Sequence, residues 1–535
     1  MVRKVWISVL LSLCIFSTYA ESPTTKESTA KKKNTLQLQK FNQFYDYLYS
    51  AYLEDVDMKP LIERAIESIL KELDPHSTYI SAEEMKSVDE SIKGEFSGIG
   101  IEFAVVNDTI MVVNTIAGAP AQSVGVVPND RIIEVDGKSA IGFSEVDVPK
   151  YIRGKRGSKV NIKVARRGTP HLDFTITRDN IPIHTIDAAY MLDKTTGYIK
   201  VNRFGQTTMD EFRESFAKMP HLKDLVVDLR GNGGGLLSQA IEMANFFLDK
   251  GSLIVSTEGR AFAPHQYKAT RDGEFTKGGV IILVDSNSAS ASEIVAGAIQ
   301  DWDRGVIIGE TTFGKGLVQR QFPLVDGSST RITIARYHTP SGRVIQRPYE
   351  NGKSDEYFSH KTAVDSVENS SHSEKSSHKT LKLGRSVLGG GGITPEIKLA
   401  RDTVPLSPLY STLIRRGIIN EFAIQYLDRE RTNLLNGFLA HNNFVDRYEV
   451  DAKMISELLE LAKKREIFSK ELPFVEVDTT ALLNEANTYI KAVLAQKLYN
   501  SNAFYEVLNR EDTTTFNAIN RVLKGLKDQK RYNFY

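Results

Sequence analysis

Apolar and polar residues alternate in blocks between residues 280 and 299, and this stretch predicts a strand, a turn and a helix in succession. Residues 280–284 form a short β-branched apolar run, which is typical of a buried strand. The turn-forming residues 285–288 follow it. Ser290 and Glu293 have the spacing of a capping box, so we expect a helix to begin near Ser290 and to continue through Ile299.

The same alternation of strand and helix patterns precedes this stretch. Residues 197–201 and 225–229 are predicted strands, and residues 210–219 and 236–248 have helical apolar spacing. Because strands that alternate with helices are typical of an α/β arrangement, we expect these residues to form an α/β core.

Other patterns flank the core and indicate a multidomain α+β protein. Residues 36–73 and the stretch beyond residue 405 have helical spacing, whereas residues 95–167 are mostly short strands. A chain of 535 residues is too long for one compact core. The predicted divisions are a signal peptide at 1–20, an N-terminal helical region at 21–94, a strand-rich domain at 95–170, the core at 171–400 with a polar insertion near 353–380, and a C-terminal helical domain at 401–535.

The first residues have the composition of a secretory signal. Arg3 and Lys4 precede an apolar run over residues 5–16, and a small-residue cleavage site ends at Ala20. An uncleaved anchor and lipoprotein processing at Cys14 stay open as alternatives. Because Cys14 is the single cysteine, the cleaved chain would have no disulfide. We therefore expect an exported protein of a bacterial periplasm or cell envelope. The net charge of +1 gives no indication of a nucleic-acid surface.

Ser290 and Lys315 are the candidate reactive residues. A serine at a strand–turn–helix junction lies beside backbone N–H groups that can stabilise an oxyanion. Its hydroxyl is a weak nucleophile until a base removes the proton, and a lysine can be that base if burial lowers its pKa. If residues 315–319 are extended, Lys315 and Gln319 point to one face. Spacing alone also allows the alternative in which Ser290 is only a helix cap and Lys315 a solvated loop residue.

The motifs SASASEI, at residues 288–294, and GETTFGKGLVQ, at residues 309–319, together resemble the active-site region of the C-terminal processing peptidases. These are serine peptidases with a Ser-Lys catalytic pair. The resemblance implies that Ser290 is the nucleophile, that Lys315 is the general base, and that Gln319 orients the lysine.

The glycine-rich run after residue 229 has two interpretations. A strand-to-helix turn of this kind can bind phosphate, but neither a Walker motif nor GxGxxG spacing is present. The sequence DLRGNGGG resembles instead the loop of the peptidase family that supplies an oxyanion-hole amide. The resemblance places that donor at Gly235, with Gly234 as the next candidate, and the second donor at the amide of Ala291.

The order of the predicted elements in the strand-rich domain, which begins with a Gly-Ile-Gly-Ile loop, resembles that of a PDZ domain, although glycines alone mostly mark turns. In that module the loop presents backbone N–H groups to the terminal carboxylate of a peptide, which pairs as an added strand. The matching residues are Gly98, Ile99, Gly100 and Ile101.

The resemblance implies a serine endopeptidase that recognises the C-terminal tails of protein substrates and needs no metal or organic cofactor. A catalytically inactive PDZ-type scaffold of the cell envelope is the alternative from a different class. An acyl-CoA enzyme with a similar oxyanion hole would not need a PDZ module. A triad through His338 lacks a matched Asp-His pair, and none of the ten histidines forms an HExxH motif. A second copy of the chain and an adaptor protein are further candidate partners.

Overall fold

A computed structural model of the chain describes residues 25–116, 118–166, 168–358, 377–399, 406–469, 474 and 477–529. The predicted signal peptide and residues 359–376 of the predicted polar insertion lie outside the described residues. The chain divides into two compact units, residues 1–69 and 70–535. Helix α1 spans Thr25–Ala51 and lies in the first unit. Helix α2 spans Met58–Lys71.

The second unit begins with a short strand and a capped helix, followed by the strand-rich domain. Its sheet has the strand order β3-β4-β5-β7-β8, with β6 paired to β5, so that β3 lies at an edge. The predicted end of this domain at residue 170 is too early, because β8 pairs with β7 from Leu172 to Thr177. The elements are β1 (Thr78–Ile80), α3 (Ala82–Lys93), β2 (Glu95–Gly98), β3 (Ile101–Val106), β4 (Thr109–Thr115), α4 (Pro120–Ser123), β5 (Arg131–Val135), β6 (Lys138–Ser139), α5 (Val148–Ile152), β7 (Lys159–Ala165), β8 (Leu172–Thr177) and β9 (Asp179–Pro182).

The core confirms the strand, turn and helix predicted around Ser290, as β15 and α8. The predicted strand at 225–229 and the predicted helix at 236–248 are confirmed as β12 and α7. The elements are β10 (Ile186–Met191), β11 (Thr196–Val201), α6 (Thr208–Ala217), β12 (Asp224–Asp228), α7 (Leu237–Phe247), β13 (Leu253–Glu258), β14 (His265–Lys268), β15 (Gly279–Val284), α8 (Ala291–Asp301), β16 (Val306–Gly309), β17 (Leu317–Pro323), β18 (Ser329–His338), α9 (Ser354–Phe358), β19 (Ser377–Lys379), β20 (Ser386–Leu388) and β21 (Ile397–Lys398).

The main sheet of the core has the order β10-β11-β12-β15-β16-β21. Neighbouring strands from β11 to β21 are parallel, and β10 pairs antiparallel to β11. Because side chains alternate along a strand, Leu225 and Val227 pack with helices α6, α7 and α8, while Val226 packs into the opposite layer. The carboxyl ends of parallel strands meet at one edge of the sheet, so the loops after β12 and β15 lie together there.

A second sheet carries Gln319 of the candidate site, on strand β17. Strand β18 is its centre: β17 pairs along one edge, and β1 and β13 pair along the other. Strand β1 comes from the stretch predicted as purely helical, and it enters the sheet as three residues whose partners are Ser329, Thr330 and Arg331. The segment before it is thereby brought to β18.

The C-terminal stretch is helical, as predicted. Helices α10 to α15 share one apolar cluster, whereas the last helix packs onto the main sheet through Ala518, Ile519, Val522 and Leu523. No helix in the described part of the chain is long and apolar enough to span a membrane. The elements are α10 (Pro408–Arg415), α11 (Ile418–Gly437), α12 (His441–Arg447), α13 (Ala452–Lys464), α14 (Thr479–Leu498), α15 (Ser501–Glu511) and α16 (Thr513–Gln529).

Candidate active site

Ser290 occupies a strained position between strand β15 and helix α8. Its backbone has φ 56° and ψ −110°, a positive φ that non-glycine residues rarely adopt. This conformation turns the chain sharply from the strand into the helix and leaves the side chain of Ser290 partly exposed. The residue is the N-cap of α8, so both roles considered for it from the sequence are compatible.

The buried carboxylate of Glu293 connects the serine loop to the lysine loop. Its Oε2 accepts hydrogen bonds from the backbone N–H groups of Ser290 and Lys315, each at 2.8 Å. Its Oε1 accepts from Gly314 N at 2.7 Å and from Thr312 Oγ1 at 2.6 Å. Burial raises the pKa of Glu293, and these four hydrogen bonds act in the opposite direction. The two candidate reactive residues are thus anchored, through their backbones, to a single oxygen atom.

Tyr337 provides a second shared anchor on the carbonyl side. Its hydroxyl lies 3.2 Å from the carbonyl oxygen of Ser290 and also donates to the carbonyl oxygen of Lys315. The ring of Tyr337 is 2% exposed and belongs to the main apolar cluster. A buried phenol and a buried carboxylate therefore fix the backbones of Ser290 and Lys315 relative to each other.

The structure brings Lys315 and Gln319 into contact. Lys315 Nζ donates to Gln319 Oε1 at 2.9 Å, although β17 begins only at Leu317 and its register with β18 shifts between Val318 and Gln319. Burial lowers the pKa of Lys315, and the charge of Arg331 lowers it further. Among the described residues, no hydrogen bond joins the Ser290 hydroxyl to Lys315 Nζ.

Opposing charges limit that depression of the lysine pKa. The carboxylates of Glu293 and Asp74 both raise the pKa of Lys315. Burial is the largest cause, and it lowers the pKa. The site therefore favours a neutral lysine more strongly than water does.

The glycine loop after β12 lies against the serine turn. A Cβ atom at Gly234 would lie 2.7 Å from the carbonyl oxygen of Ala289 and 2.9 Å from Ser290 Cβ, so only glycine fits there. The Gly234 N–H donates to Asn232 Oδ1 at 2.8 Å. In the part of the chain that the structure describes, the N–H groups of Gly235 and Ala291 donate no hydrogen bond. Of the two glycine amides considered from the sequence, Gly235 is the one with a free donor.

A partly buried ion-pair network that the sequence did not indicate supports the glycine loop. Arg230 pairs with Asp228 at 2.7 Å and with Asp512, at the start of helix α16, at 2.9 Å. Lys200 pairs with Asp228 at 3.3 Å and also donates to the carbonyl oxygen of Arg230. The loop is therefore connected to a helix almost 300 positions later in the sequence, a link that no local pattern contains.

The loop before strand β3 of the PDZ domain combines a position that requires glycine with two amides that are unpaired among the described residues. Gly100 has φ +77°, and a Cβ atom there would lie 2.2 Å from Ala119 Cβ, so this position requires glycine. Ile99 is buried in the domain core, and Ile101 begins strand β3. Gly98 ends β2. Within the described residues, the N–H groups of Ile99 and Gly100 donate no hydrogen bond.

The structure places His338 away from the serine. Its neighbour Tyr337 points into the core and contacts the Ser290 carbonyl, so His338 lies on the opposite face of β18. There it lines an open cavity and lies 3.7 Å from Glu258. This geometry does not support a serine–histidine pair.

Comparisons with known proteins agree with this architecture. The sequence matches Peptidase family S41 over residues 195–351 and the PDZ domain over residues 97–177. It also matches the activating protease CtpB N-terminal domain over residues 13–84, and a family of unknown function, DUF8443, over residues 409–500.

Relatives similar along most of their length are processing proteases. The chain is 38% identical to the carboxy-terminal-processing protease of Bartonella bacilliformis over 357 residues, which are 65% of this chain and 81% of that protein. It is 35% identical to the carboxy-terminal processing protease CtpA of Bacillus subtilis over 351 residues, 64% of this chain and 75% of that protein. The solved photosystem II D1 C-terminal processing protease is 25% identical, with 68% of this chain and 88% of that chain covered and a TM-score of 0.36.

The α/β core, the PDZ domain and these relatives define a serine endopeptidase that is assisted by a PDZ domain and acts on peptide or protein substrates. The chain belongs to peptidase family S41, the carboxy-terminal processing proteases. The catalytically inactive scaffold is not supported.

Proposed function

We propose that this peptidase cleaves peptide bonds with Ser290 as nucleophile and Lys315 as general base, with Gln319 orienting the lysine. The observation that carries the proposal is the pair of shared anchors. Glu293 Oε2 accepts from the N–H groups of both reactive residues, and the Tyr337 hydroxyl lies within hydrogen-bond distance of both carbonyl oxygens. An arrangement that fixes a serine and a partly buried lysine to each other in this way favours proton transfer between them.

The hydrogen bond to Gln319 explains how the lysine accepts a proton. Gln319 Oε1 is only an acceptor, so it binds an N–H of the neutral amine as well as of the ammonium group. Neutral Lys315 keeps a lone pair for the Ser290 proton. Side-chain rotation must bring the two groups together when substrate binds, because catalytic hydrogen bonds are often formed only in the complex with substrate.

The free N–H groups of Gly235 and Ala291 would bind the oxyanion. Ser290 Oγ attacks the scissile carbonyl carbon as Lys315 takes the hydroxyl proton. The negative charge that develops on the carbonyl oxygen is stabilised by the two amides, each contributing about 3 kcal/mol in comparable sites. The C–N bond breaks as the lysine gives its proton to the leaving amine, and water then hydrolyses the acyl-enzyme ester.

The PDZ domain would hold the substrate by its C-terminal tail. The amides of Ile99 and Gly100, unpaired in the described part of the chain and lying between Gly98 and Ile101, would bind the terminal carboxylate of the peptide. Strand β3 is an edge strand, so its outer side offers backbone groups to an added strand. We infer that substrates are proteins with accessible C-terminal tails.

We also propose that the chain is exported to the bacterial periplasm or cell envelope. Support comes from the apolar segment at residues 5–16 and its basic flank. A homodimer or an adaptor protein stays a prediction from the sequence.

Substitution of each reactive residue tests the proposal. Ser290→Ala and Lys315→Ala are expected to lower kcat on a tailed peptide by at least about 1000-fold, while circular dichroism and thermal unfolding show an intact fold. The Ser290→Ala protein, used as a trap, should retain uncleaved substrates whose termini identify the preferred tails. Substantial turnover by Lys315→Ala would exclude the lysine as the base.

A further inference from the structure

A buried turn in front of strand β1 lies beside the lysine. The turn comprises residues 74–77, from the stretch that the sequence assigns to the N-terminal helical region. Asp74 is 6% exposed and accepts hydrogen bonds from the backbone N–H groups of His76 and Ser77, both at 2.9 Å, and from Ser77 Oγ at 2.6 Å. A carboxylate that binds the next amides in this way rigidifies the turn.

The same carboxylate attaches the turn to the sheet that carries the lysine. Thr333 Oγ1 donates to Asp74 at 3.0 Å, and Thr333 N donates to Ser77 Oγ at 3.1 Å. Thr333 is on β18, where its cross-strand partner is Gln319. The position of the turn is thus fixed against the strand pair that holds Gln319.

The turn contacts the side chain of Gln319 through a main-chain carbonyl group. Gln319 Nε2 donates to the carbonyl oxygen of His76. Because the amide nitrogen is committed there, the amide oxygen must point the other way, where it accepts from Lys315 Nζ. A glutamine without this contact could rotate its amide by half a turn and present N–H groups to the lysine.

We propose that Asp74 is a positioning residue for catalysis: by holding the carbonyl of His76 in place, it fixes the Gln319 amide and through it the amine of Lys315. This inference rests on the proposed role of Lys315 as the base. The imidazole of His76 is consistent with it. Burial, with a smaller contribution from the charge of Lys315, lowers the pKa of His76 to about 4, so this ring is neutral at pH 7 beside the lysine.

A double-mutant cycle tests the route through Gln319. Asp74→Ala is expected to lower kcat by about 10- to 100-fold with little change in KM, the scale of effect produced by displacement of a catalytic group by about 1 Å. In a Gln319→Ala background the same substitution should lower kcat by less than about 3-fold, because the residue through which it acts is gone. Additive effects in the two backgrounds would overturn the inference.

Conservative variants separate positioning from charge. Asparagine also forms this kind of turn, so Asp74→Asn should keep kcat within about 5-fold of the native value. A direct effect of the carboxylate charge on Lys315 would instead make Asn as damaging as Ala. If Asp74→Ala does not fold, Thr333→Val, which removes one hydrogen bond to Asp74, should show a smaller fall in kcat with the same non-additivity. Equal losses in both backgrounds would again overturn the inference.

Asp193 provides a matched control. Its carboxylate accepts from Thr195 N at 2.7 Å, from Thr196 N at 2.8 Å and from Thr196 Oγ1 at 2.9 Å, in a turn at the amino end of β11. Asp193→Ala should leave kcat unchanged. Lys315→Ala in the same assay distinguishes failure of the proposed mechanism from failure of the Asp74 inference. An active Lys315→Ala protein would refute the lysine as base. An inactive Lys315→Ala protein together with additive effects in the double-mutant cycle would refute only the role of Asp74.

Discussion

Replacing Glu293 by glutamine changes one oxygen to an NH2 group at the point where the backbones of Ser290 and Lys315 are anchored. The carboxylate accepts four hydrogen bonds, two on each oxygen. The glutamine can keep its oxygen toward Ser290 N and Lys315 N only if its NH2 group faces Gly314 N and Thr312. The Thr312 hydroxyl can rotate and accept, but the Gly314 N–H then meets a donor.

The magnitude follows from that single conflict. One buried N–H without an acceptor costs about 1–3 kcal/mol of unfolding free energy. The opposite amide orientation leaves both Ser290 N and Lys315 N unpaired, for about 2–6 kcal/mol by the same measure, so it is disfavoured. We therefore expect Glu293→Gln to fold, with stability reduced by about 1–3 kcal/mol, and to lose at least about 10-fold in kcat, because displacement of the Gly314 loop moves Lys315 relative to Ser290.

Urea unfolding and hydrolysis of a tailed peptide measure the two effects in one preparation. Glu396→Gln is the matched control, since this buried carboxylate accepts from Gln300 Nε2 at 2.9 Å and from Ile307 N at 2.8 Å between β16 and β21. It should lower stability without lowering kcat per folded molecule. Native kcat in Glu293→Gln would refute the anchoring role of the carboxylate. An equal fall of kcat in both variants would show that the effect is general destabilisation.

Three further changes test other parts of the site. Arg331→Gln removes a charge that lowers the pKa of Lys315. The proposed mechanism requires neutral Lys315, so activity is lost as pH falls through the pKa of this lysine. The acid limb of kcat/KM should therefore move to higher pH in the variant; an unmoved limb would contradict the proposed role of the lysine. Gly100→Ala should raise KM for a tailed protein by at least about 10-fold, because the added Cβ clashes with Ala119, and should leave kcat on a short untailed peptide unchanged. Equal KM values for the variant and the native protein would exclude a role of this loop in binding the substrate carboxylate. Asp512→Ala should lower the free energy of unfolding by about 1 kcal/mol or less. It should also lower kcat at constant KM, because Arg230 beside the glycine loop loses its ion pair with the last helix. A native kcat would show that this helix does not affect the glycine loop.

The sequence predicted those parts of the fold whose information is local. The run at 280–284 is apolar throughout and the run at 225–229 is interrupted only by Asp228, because both faces of the main sheet are covered. Both runs predict buried strands for that reason. Strand β1 was not predicted, because three residues in a mostly helical stretch carry no periodic signal. The contact of α16 with the sheet was not predicted either, since amphipathic spacing shows that a face is apolar but not what covers it.

In the candidate site, too, the sequence predicts local features but not the contacts between distant segments. The two motifs place Ser290, Lys315 and Gln319, whose roles stay predictions. The resemblance places the oxyanion donor at Gly235 ahead of Gly234. The hydrogen bond from the Gly234 amide to Asn232, which leaves Gly235 as the unpaired amide, is set by the folded loop and by no local pattern. Glu293 is visible in the sequence as a capping residue, but its bonds to Gly314 and Lys315 require a return of the chain after β16. His76 presents its main-chain carbonyl to Gln319, a role that no side-chain pattern reveals.

Helix α16 makes completion of the peptidase depend on the order of synthesis. Ser290, Lys315 and the glycine loop all leave the ribosome well before residues 513–529, which cover one apolar face of the main sheet. Until that helix is added, Val226, Ile281 and Leu283 lack their cover on that face. A nascent chain made only as far as the main sheet therefore carries Ser290 and Lys315 on a scaffold with one apolar face still uncovered.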